Sequence, residues 1–293
     1  MKIRWKIDLA ISGAFLIGLT LAGVGADLIL KRNAVDESLS NARVMIESAS
    51  AIRKYTAESI KPLLEQQMKI TFLPHSIPSF AAQSNLKMLH EKLPNYSYRE
   101  PTINPTNLND RAVEWETDII NDFRSDASKK ELVATRETPS GQFLTLARPI
   151  KVGSQTCLSC HSTPENAPPT MVALYGTQNG FGWKEGEIVG AQVVSTPLSV
   201  PMNKANEALL WFMFALAGTF VITVILVDLL LRLLVTKPVA EISERANMVS
   251  MGQLDAPEYV RNSSDEIGTL SASFNRMARS LRNAMTMLED RPL

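Results

Sequence analysis

Two cysteines and a histidine lie within five residues of one another, in the segment Cys157-Leu-Ser-Cys-His161. Cys157 and Cys160 are the only cysteines of the chain, and His161 is one of its three histidines. Two residues between the thiols, with a histidine directly after the second thiol, are typical of c-type haem attachment. The sulfurs add to the vinyl groups of the macrocycle, and the histidine binds the iron. The motif predicts one haem c, held covalently by Cys157 and Cys160, with His161 as an axial ligand.

Two other kinds of site use a pair of cysteines at this spacing. A structural zinc site needs a fourth ligand and usually a second Cys or His pair. The remaining histidines, His75 and His90, are not paired in the sequence. A redox dithiol of the thioredoxin kind follows a strand and opens a helix, and the sequence does not predict that context here. Haem attachment is therefore the favoured interpretation.

The sixth ligand of the iron stays open at this point. A methionine more often fills a core than binds a metal, and a single loop histidine is more often solvated. An open sixth position is equally compatible with the sequence. The candidate side chains are Met45, Met68, His75 and His90.

Two apolar runs, residues 9–30 and 208–235, are each long enough to cross a bilayer core of about 30 Å as a helix. The first run has an alternative interpretation as a cleaved signal peptide, because Val24-Gly-Ala26 resembles a cleavage site. The second has an alternative as a buried core helix. Asp228 lies inside it, where a carboxylate is costly away from an interface or a partner helix.

The orientation follows from the charges at the N-terminus. Lys2, Arg4 and Lys6 favour a cytoplasmic start, whereas Lys31 and Arg32 at the other end of the run weaken that inference. Haem attachment to paired thiols outside the bacterial cytoplasm supports the same orientation. The predicted organisation is a cytoplasmic N-terminus (1–8), a transmembrane helix (9–30), an extracytoplasmic haem domain (31–207), a second transmembrane helix (208–235), a cytoplasmic helical domain (236–288) and a tail (289–293).

The extracytoplasmic segment has an α+β pattern, with helices first and strands later. A long helix is predicted from Val35 to Met68, starting at a cap on Asp36 or Ser38 and continuing from the first membrane helix. Further helices are predicted at 79–92 and 109–123, strands at 143–152 and 188–195, and a turn at 138–141. The cysteine motif lies between the two strands.

Several segments of residues 35–200 resemble a family of periplasmic c-type haem sensor domains with a PAS-like core. In chain order they are Phe80-Ala-Ala82, Arg99-Glu-Pro-Thr-Ile-Asn-Pro-Thr-Asn107, Trp115-Glu116, Ala147-Arg-Pro149, Cys157 to His161 and Gly180-Phe-Gly-Trp-Lys-Glu-Gly186. The resemblance implies haem on Cys157 and Cys160 with His161 as an axial ligand. In one characterised type the other ligand is a cysteine on the first long helix. This sequence has no cysteine there, so that ligand does not carry over.

The segment after the second apolar run contains two heptad seams. The first comprises Val239, Ile242, Ala246 and Val249, and Gly252 ends its helix. Leu254 and Val260 are possible apolar plugs in the linker. The second helix begins near Asp265, and its seam comprises Ile267, Leu270, Phe274, Met277, Leu281, Ala284 and Leu288.

This cytoplasmic segment resembles a HAMP domain, through Pro238, Gly252-Gln-Leu254, Asp265-Glu-Ile-Gly268 and Ser273-Phe-Asn-Arg-Met277. The resemblance implies a homodimeric four-helix bundle that relays movement of a membrane helix. A monomeric helical hairpin is the alternative.

The zero formal net charge and the lack of a clustered basic stripe give no indication of nucleic-acid binding. The favoured hypothesis is a sensor in the bacterial inner membrane that relays redox state or diatomic-gas binding to a separate cytoplasmic partner. A membrane-anchored electron-transfer cytochrome is the alternative, although it leaves the two seams unexplained. An enzyme, such as a haem reductase or peroxidase, is not expected, because the sequence offers no obvious distal acid–base pair.

Overall fold

The computed structural model describes residues 3–153, 155–255 and 257–289, which form two compact units. One unit is Gly25–Leu209, and the other combines Met1–Val24 with Leu210–Leu293. Lys2, residues 290–293 and the side chains of Arg4 and Leu288 lie outside the described residues.

Helix α1 extends without interruption over Ile3–Tyr55, so it contains the first apolar run and continues into the α+β unit. The predicted continuity is confirmed, whereas the predicted cap at Asp36 or Ser38 is wrong because no helix starts there. A π-helical turn at Thr56–Ile60 separates α1 from α2, Lys61–Met68. Pro62 is the second residue of α2 and has no N–H to donate to the preceding turn, and the wider turn lies just before it.

The rest of this unit contains four strands and four helices in its described part. In chain order they are α3 (Pro78–Lys92), β1 (Ser97–Arg99), α4 (Glu114–Ser125), β2 (Leu132–Thr138), β3 (Gly141–Lys151), α5 (Gln155–His161), α6 (Pro169–Tyr175) and β4 (Ile188–Pro197). The strands form one antiparallel sheet in the order β1-β4-β3-β2. The predicted α+β class is confirmed.

Strand β2 was not predicted from the sequence. It pairs with β3 through the turn at Thr138–Gly141, and it forms one edge of the sheet. Most of its residues are exposed or half-buried, so it lacks the apolar alternation that marks a strand with one buried face. The turn was visible in the sequence, but the strand that enters it was not.

Helices cover both faces of the sheet. Leu144 and Leu146 of β3 pack with Ile46 of α1 in one core cluster that also includes residues of α3. Their neighbour Ala147 points to the other face, where it packs with Phe123 of α4. Successive strand residues alternate between faces, so β3 and β4 are buried on both sides. The sheet is the middle layer of a three-layer core.

The second unit contains apolar helices and a helical hairpin. Within its described residues, the chain has two helices that are long and apolar enough to cross a membrane, and they contain the two predicted runs. Helix α7 covers Ser199–Leu231 and is followed by a π-helical turn at Arg232–Thr236. Phe15 stacks on Phe220 with ring centroids 3.7 Å apart. The two apolar helices that flank the α+β unit in the sequence indicate a membrane protein.

The hairpin consists of α8, Lys237–Ser250, and α9, Glu266–Glu289. Ile242, Val249 and Phe274 form its buried core. Leu254 packs against this core as predicted, whereas Val260 is 74% exposed in the single chain. Tyr259 also packs against the core, and the side-chain amide of Asn275 accepts from its N–H at 3.2 Å and donates to its carbonyl at 2.9 Å.

The start of α9 agrees with the sequence. The Asp265 carboxylate accepts a hydrogen bond of 2.7 Å from the N–H of Gly268, which satisfies a free donor of the first turn. Gly252 has a φ of +85°, the left-handed conformation expected after the end of α8. Met277 and Leu281 of the second seam remain exposed in the single chain, at 58% and 45%.

Candidate functional site

Cys157, Cys160 and His161 all line one cavity of the α+β unit, with a volume of about 330 Å³. Much of the remaining wall is apolar, and it includes Phe72, Ile77, Phe80, Ile150, Met171 and Val189. The structure therefore brings the whole predicted attachment motif to a single half-open, largely apolar space. Such a space suits the faces of a macrocycle better than it suits a hydrated ion.

The two thiols lie on α5, a helix of seven residues, and both are free and half-buried. One premise used against a redox dithiol is wrong, because α5 begins four residues after the end of strand β3. The sheet is antiparallel, however, and the cysteines occupy the third and sixth positions of α5. The short α5 and the antiparallel sheet differ from the βαβ context in which thioredoxin-like dithiols lie.

The ring of His161 is held by three groups. Its Nδ1 lies 2.8 Å from the carbonyl oxygen of Gly180 and 3.4 Å from Oγ1 of Thr106. Its face stacks on Trp183, with ring centroids 3.9 Å apart. Burial lowers the pKa of His161, which favours the neutral imidazole that binds metals. If Nδ1 carries the proton and donates it to the Gly180 carbonyl, Nε2 has a free electron pair that can bind a metal. The ring that carries it lines the cavity.

Asn104 fixes the loop that carries Gly180. Its side-chain oxygen accepts from the N–H of Gly180 at 3.0 Å, and its side-chain N–H donates to the carbonyl of Phe181 at 3.2 Å. Gly180 has a φ of +85°, and a Cβ built there would lie 2.1 Å from Oγ1 of Thr106. Only glycine fits this approach. Residues 99–107 and 180–186, two of the segments that carry the family resemblance, therefore meet at His161.

A different wall of the cavity comes from the first long helix. Arg53 of α1, Ala57 of the π-helical turn and Lys61 at the start of α2 all line the cavity. Their spacing of four residues places them along one side of the helix. These positions were not identified from the sequence, where no motif marks them, because their role depends on which side of α1 faces the sheet.

A buried polar network continues from this wall. Arg53 forms an ion pair with Glu100, whose side chain is 2% exposed. The Tyr98 hydroxyl donates to the other carboxylate oxygen of Glu100 at 2.6 Å, and Gln192 donates to that hydroxyl at 2.9 Å. Burial raises the pKa of Tyr98, and the charge of Glu100 raises it further, so the phenol stays protonated.

Asp110 is the second carboxyl on the cavity wall. Burial raises its pKa, although a hydrogen bond of 3.1 Å from the Gln83 side chain opposes that rise. The side-chain oxygen of the same Gln83 accepts from the N–H of Glu100 at 3.1 Å. Gln83 therefore links the carboxylate of Asp110 to the backbone of Glu100.

The four candidate side chains for the sixth position lie elsewhere in the described structure. Met45 is buried in the core between α1 and the sheet. The sulfur of Met68 accepts from the N–H of Leu73 at 3.1 Å. His75 is exposed and meets the ring of Phe80 edge-on, and Nδ1 of His90 lies 2.8 Å from the carbonyl of Tyr96. None of the four is among the residues that line the cavity in the described part of the chain.

Comparison with known proteins places these features in a family. The model of the Tll0287-like family matches residues 31–197, more than half of the chain and the whole of the segment that builds the cavity. The chain belongs to the Tll0287-like family. A crystal structure of the cyanobacterial heme-protein Tll0287 is 17% identical, with a TM-score of 0.43 over 55% of this chain and 95% of that one.

The segment after the Tll0287-like domain also has relatives. Residues 230–283 match the HAMP domain, which confirms the HAMP resemblance. A sensor histidine kinase of Bacillus subtilis (strain 168), YclK, is 33% identical over 106 residues, or 36% of this chain. The match spans 22% of the length of that kinase. The chain is thus a Tll0287-like domain with apolar helices on both sides, followed by a HAMP domain.

Proposed function

We propose that this protein is a membrane-bound c-type haem sensor. Its Tll0287-like domain holds one covalent haem outside the cytoplasm, and its HAMP domain relays the state of the haem to a separate cytoplasmic partner, as a homodimer. No catalytic reaction is assigned to the chain. The observation that carries the proposal is the cavity lined jointly by Cys157, Cys160 and His161.

The residues of the cavity fit a haem. Cys157 and Cys160 would form the two thioethers, and both are free thiols on the same short helix. His161 would bind the iron through Nε2, because Nδ1 is already directed to the Gly180 carbonyl. When bound, the haem supplies a redox-active iron that can also take a small ligand. A structural zinc site usually needs a second Cys or His pair beside this one, and neither His75 nor His90 lines the cavity.

The route from the cavity to the membrane is a property of α1. Arg53 lines the cavity, and the helix that carries it begins at Ile3, so the cavity wall and the first apolar run belong to one helix. A rigid helix transmits a displacement at one point along its length. At the other end of the domain, β4 leads directly through Leu198 into α7 and then into the HAMP segment. This direct connection favours a sensor over a simple electron carrier.

The attachment residues provide the test. We expect the purified chain to give a c-type haem spectrum after denaturation, and substitution of either cysteine by alanine to remove one thioether. His161→Met should change the visible and resonance Raman spectra of the native protein, since the axial ligand sets the electronic state of the iron. His90→Met is the matched control, because His90 is exposed and does not line the cavity. A chain matured with its haem-attachment machinery that carries no covalent haem would refute the proposal.

A further inference from the structure

We propose that Ala57 lies over the haem iron and leaves its sixth position open to a neutral diatomic ligand such as carbon monoxide or nitric oxide. This inference rests on the proposed function, because it concerns the coordination of the haem assigned there. It adds the ligand class, the wall that receives the ligand and the residue that keeps the position free.

The residues of the helical wall have a regular spacing. Arg53, Ala57 and Lys61 line the cavity at intervals of four residues. At about 1.5 Å per residue, the segment from Arg53 to Lys61 spans about 12 Å, comparable with the width of a porphyrin ring. A helix that lies across a ring in this way has its middle residue nearest the centre. That residue is Ala57, in a π-helical turn of a kind often found at functional sites.

The alanine side chain in the middle of this wall favours an open sixth position. A methyl group has no atom that can bind iron, and Ala57 is exposed to the cavity rather than packed into the core. Arg53 is neutralised by its ion pair with Glu100, and Phe72, Ile77 and Phe80 make the surrounding wall apolar. A neutral ligand suits such a site better than an anion does. The guanidinium has five donors, so it can also stabilise a polar bound diatomic.

Six other lining side chains contain an amine, carboxylate, thioether or phenol that can bind iron: Lys61, Glu100, Asp110, Lys151, Met171 and Tyr175. Met171 is buried to 3% exposure on α6, where a methionine usually fills space. The ring of Tyr175 meets Phe72 edge-on, with centroids 5.9 Å apart. The proposal assigns these groups to the rim of the site, and the coordination number of the iron decides between the two arrangements.

The experiment uses the full haem-loaded chain in detergent and its ferrous spectrum with and without carbon monoxide. The wild type is expected to be five-coordinate and to bind carbon monoxide. Ala57→Met places a thioether over the iron, so this variant should be six-coordinate and low-spin. If the thioether occupies the iron roughly 90% of the time, the apparent affinity for carbon monoxide falls about tenfold.

Two further variants complete the test. Ala51→Met makes the same change on α1, less than two turns before Ala57. Ala51 is exposed and does not line the cavity, so this variant should behave as the wild type. Ala57→Val adds bulk without a donor atom. It should stay five-coordinate while binding carbon monoxide more weakly, and it serves if Ala57→Met does not fold.

The outcomes separate this inference from the proposed function. A wild type that holds haem but is six-coordinate and does not bind carbon monoxide overturns the open position and leaves the haem assignment intact. If Met171→Leu then converts it to five-coordinate, the thioether of Met171 is the sixth ligand. Unchanged carbon monoxide binding in both Ala57 variants also overturns the inference. A wild type without haem overturns the proposed function itself.

Discussion

At the scale of single residues, the proposed function depends on how the neighbours of His161 hold its ring. The Gly180 carbonyl, the Thr106 hydroxyl and the Trp183 ring determine which nitrogen is free and which way the ring faces. A hydrogen bond to the far nitrogen of a metal-binding histidine fixes its tautomer and raises its basicity. The same contacts would therefore set the strength of the iron–histidine bond.

Gly180→Ala tests this support. The new Cβ would lie within 2.8 Å of the Thr106 backbone nitrogen at a φ of +85°, so the loop must move away from His161. We expect a loss of stability beyond the strain of about 1–3 kcal/mol for alanine at positive φ. We also expect a shift of the iron–histidine stretching frequency in resonance Raman spectra of the ferrous protein.

Gly182→Ala is the matched control for this prediction. Gly182 has nearly the same φ, +83°, but a Cβ there meets no atom within 4 Å. Gly182→Ala should lose only the stability that corresponds to the strain of alanine at positive φ. It should keep the wild-type iron–histidine stretching frequency. Equal effects of the two substitutions would show that the contact with Thr106 is unimportant for the histidine.

At the scale of elements, α1 is attached to the sheet by a group of ion pairs. Glu131, just before β2, accepts from Arg43 of α1 at 2.8 Å and from Arg148 of β3 at 3.3 Å. Arg148 also donates to Glu47 of α1 at 2.7 Å. On α1, the residues of these contacts lie about two to three helical turns before Arg53, between the first apolar run and the cavity. They would hold the helix in register with the sheet while the cavity wall responds to the iron.

The charge of Glu131 should make this attachment sensitive to pH. Burial raises the pKa of Glu131, but the hydrogen bonds and charges of Arg43 and Arg148 outweigh it, so the pKa is lowered overall. A lowered pKa contributes stability above the unfolded value of about 4.3, and this contribution is lost as the pH falls through the folded pKa. Glu131→Gln should reduce stability at pH 7 by roughly 1 kcal/mol, and the deficit should shrink below about pH 4.

Thermal unfolding of the full chain at several pH values measures this difference. Glu137→Gln is the matched control. Glu137 is exposed on β2, the edge strand that follows Glu131, and among its described hydrogen bonds it accepts only from Gln142, at 3.2 Å. That variant should follow the wild type at every pH. A deficit of Glu131→Gln that stays constant from pH 7 to acid would contradict the assigned electrostatic role.

At the scale of the whole molecule, the order of parts along the chain matters most. The Tll0287-like domain is entered by one apolar helix and left by another, and the second leads into the HAMP domain. Within the HAMP segment, the exposed seam residues Met277 and Leu281 would find partners in a second copy of the chain. A change at the iron would then act on a helical bundle that has more than one packing arrangement.

Amide hydrogen exchange of α8 and α9 tests this coupling. In the sensor, we expect exchange rates over residues 237–289 to differ between the oxidised and reduced protein in a membrane mimetic, because the equilibrium between arrangements shifts. The Cys157→Ala/Cys160→Ala double variant, which lacks covalent haem, is the control and should show no difference under the same two conditions. Identical rates in the haem-loaded wild type would favour the electron-transfer cytochrome instead.

Several features were determined by the sequence alone, because each depends on residues that are close along the chain. The spacing of Cys157, Cys160 and His161 indicated haem attachment, and the lengths of two apolar runs indicated membrane helices. The heptad seams predicted α8 and α9, and the Asp265 cap marked where α9 begins. Local periodicity and short motifs carry this information directly.

Other features were decided only by the tertiary structure, because they depend on residues far apart in sequence. Gly180 and Thr106 meet His161 only after the sheet has formed. Strand β2 is recognisable from its pairing with β3, since an exposed edge strand has little apolar alternation. Arg53, Ala57 and Lys61 look like ordinary helix positions until the packing of α1 decides which side faces the cavity. The sequence indicated which residues would attach a haem, and the packing decided which side chains line the cavity that would hold it.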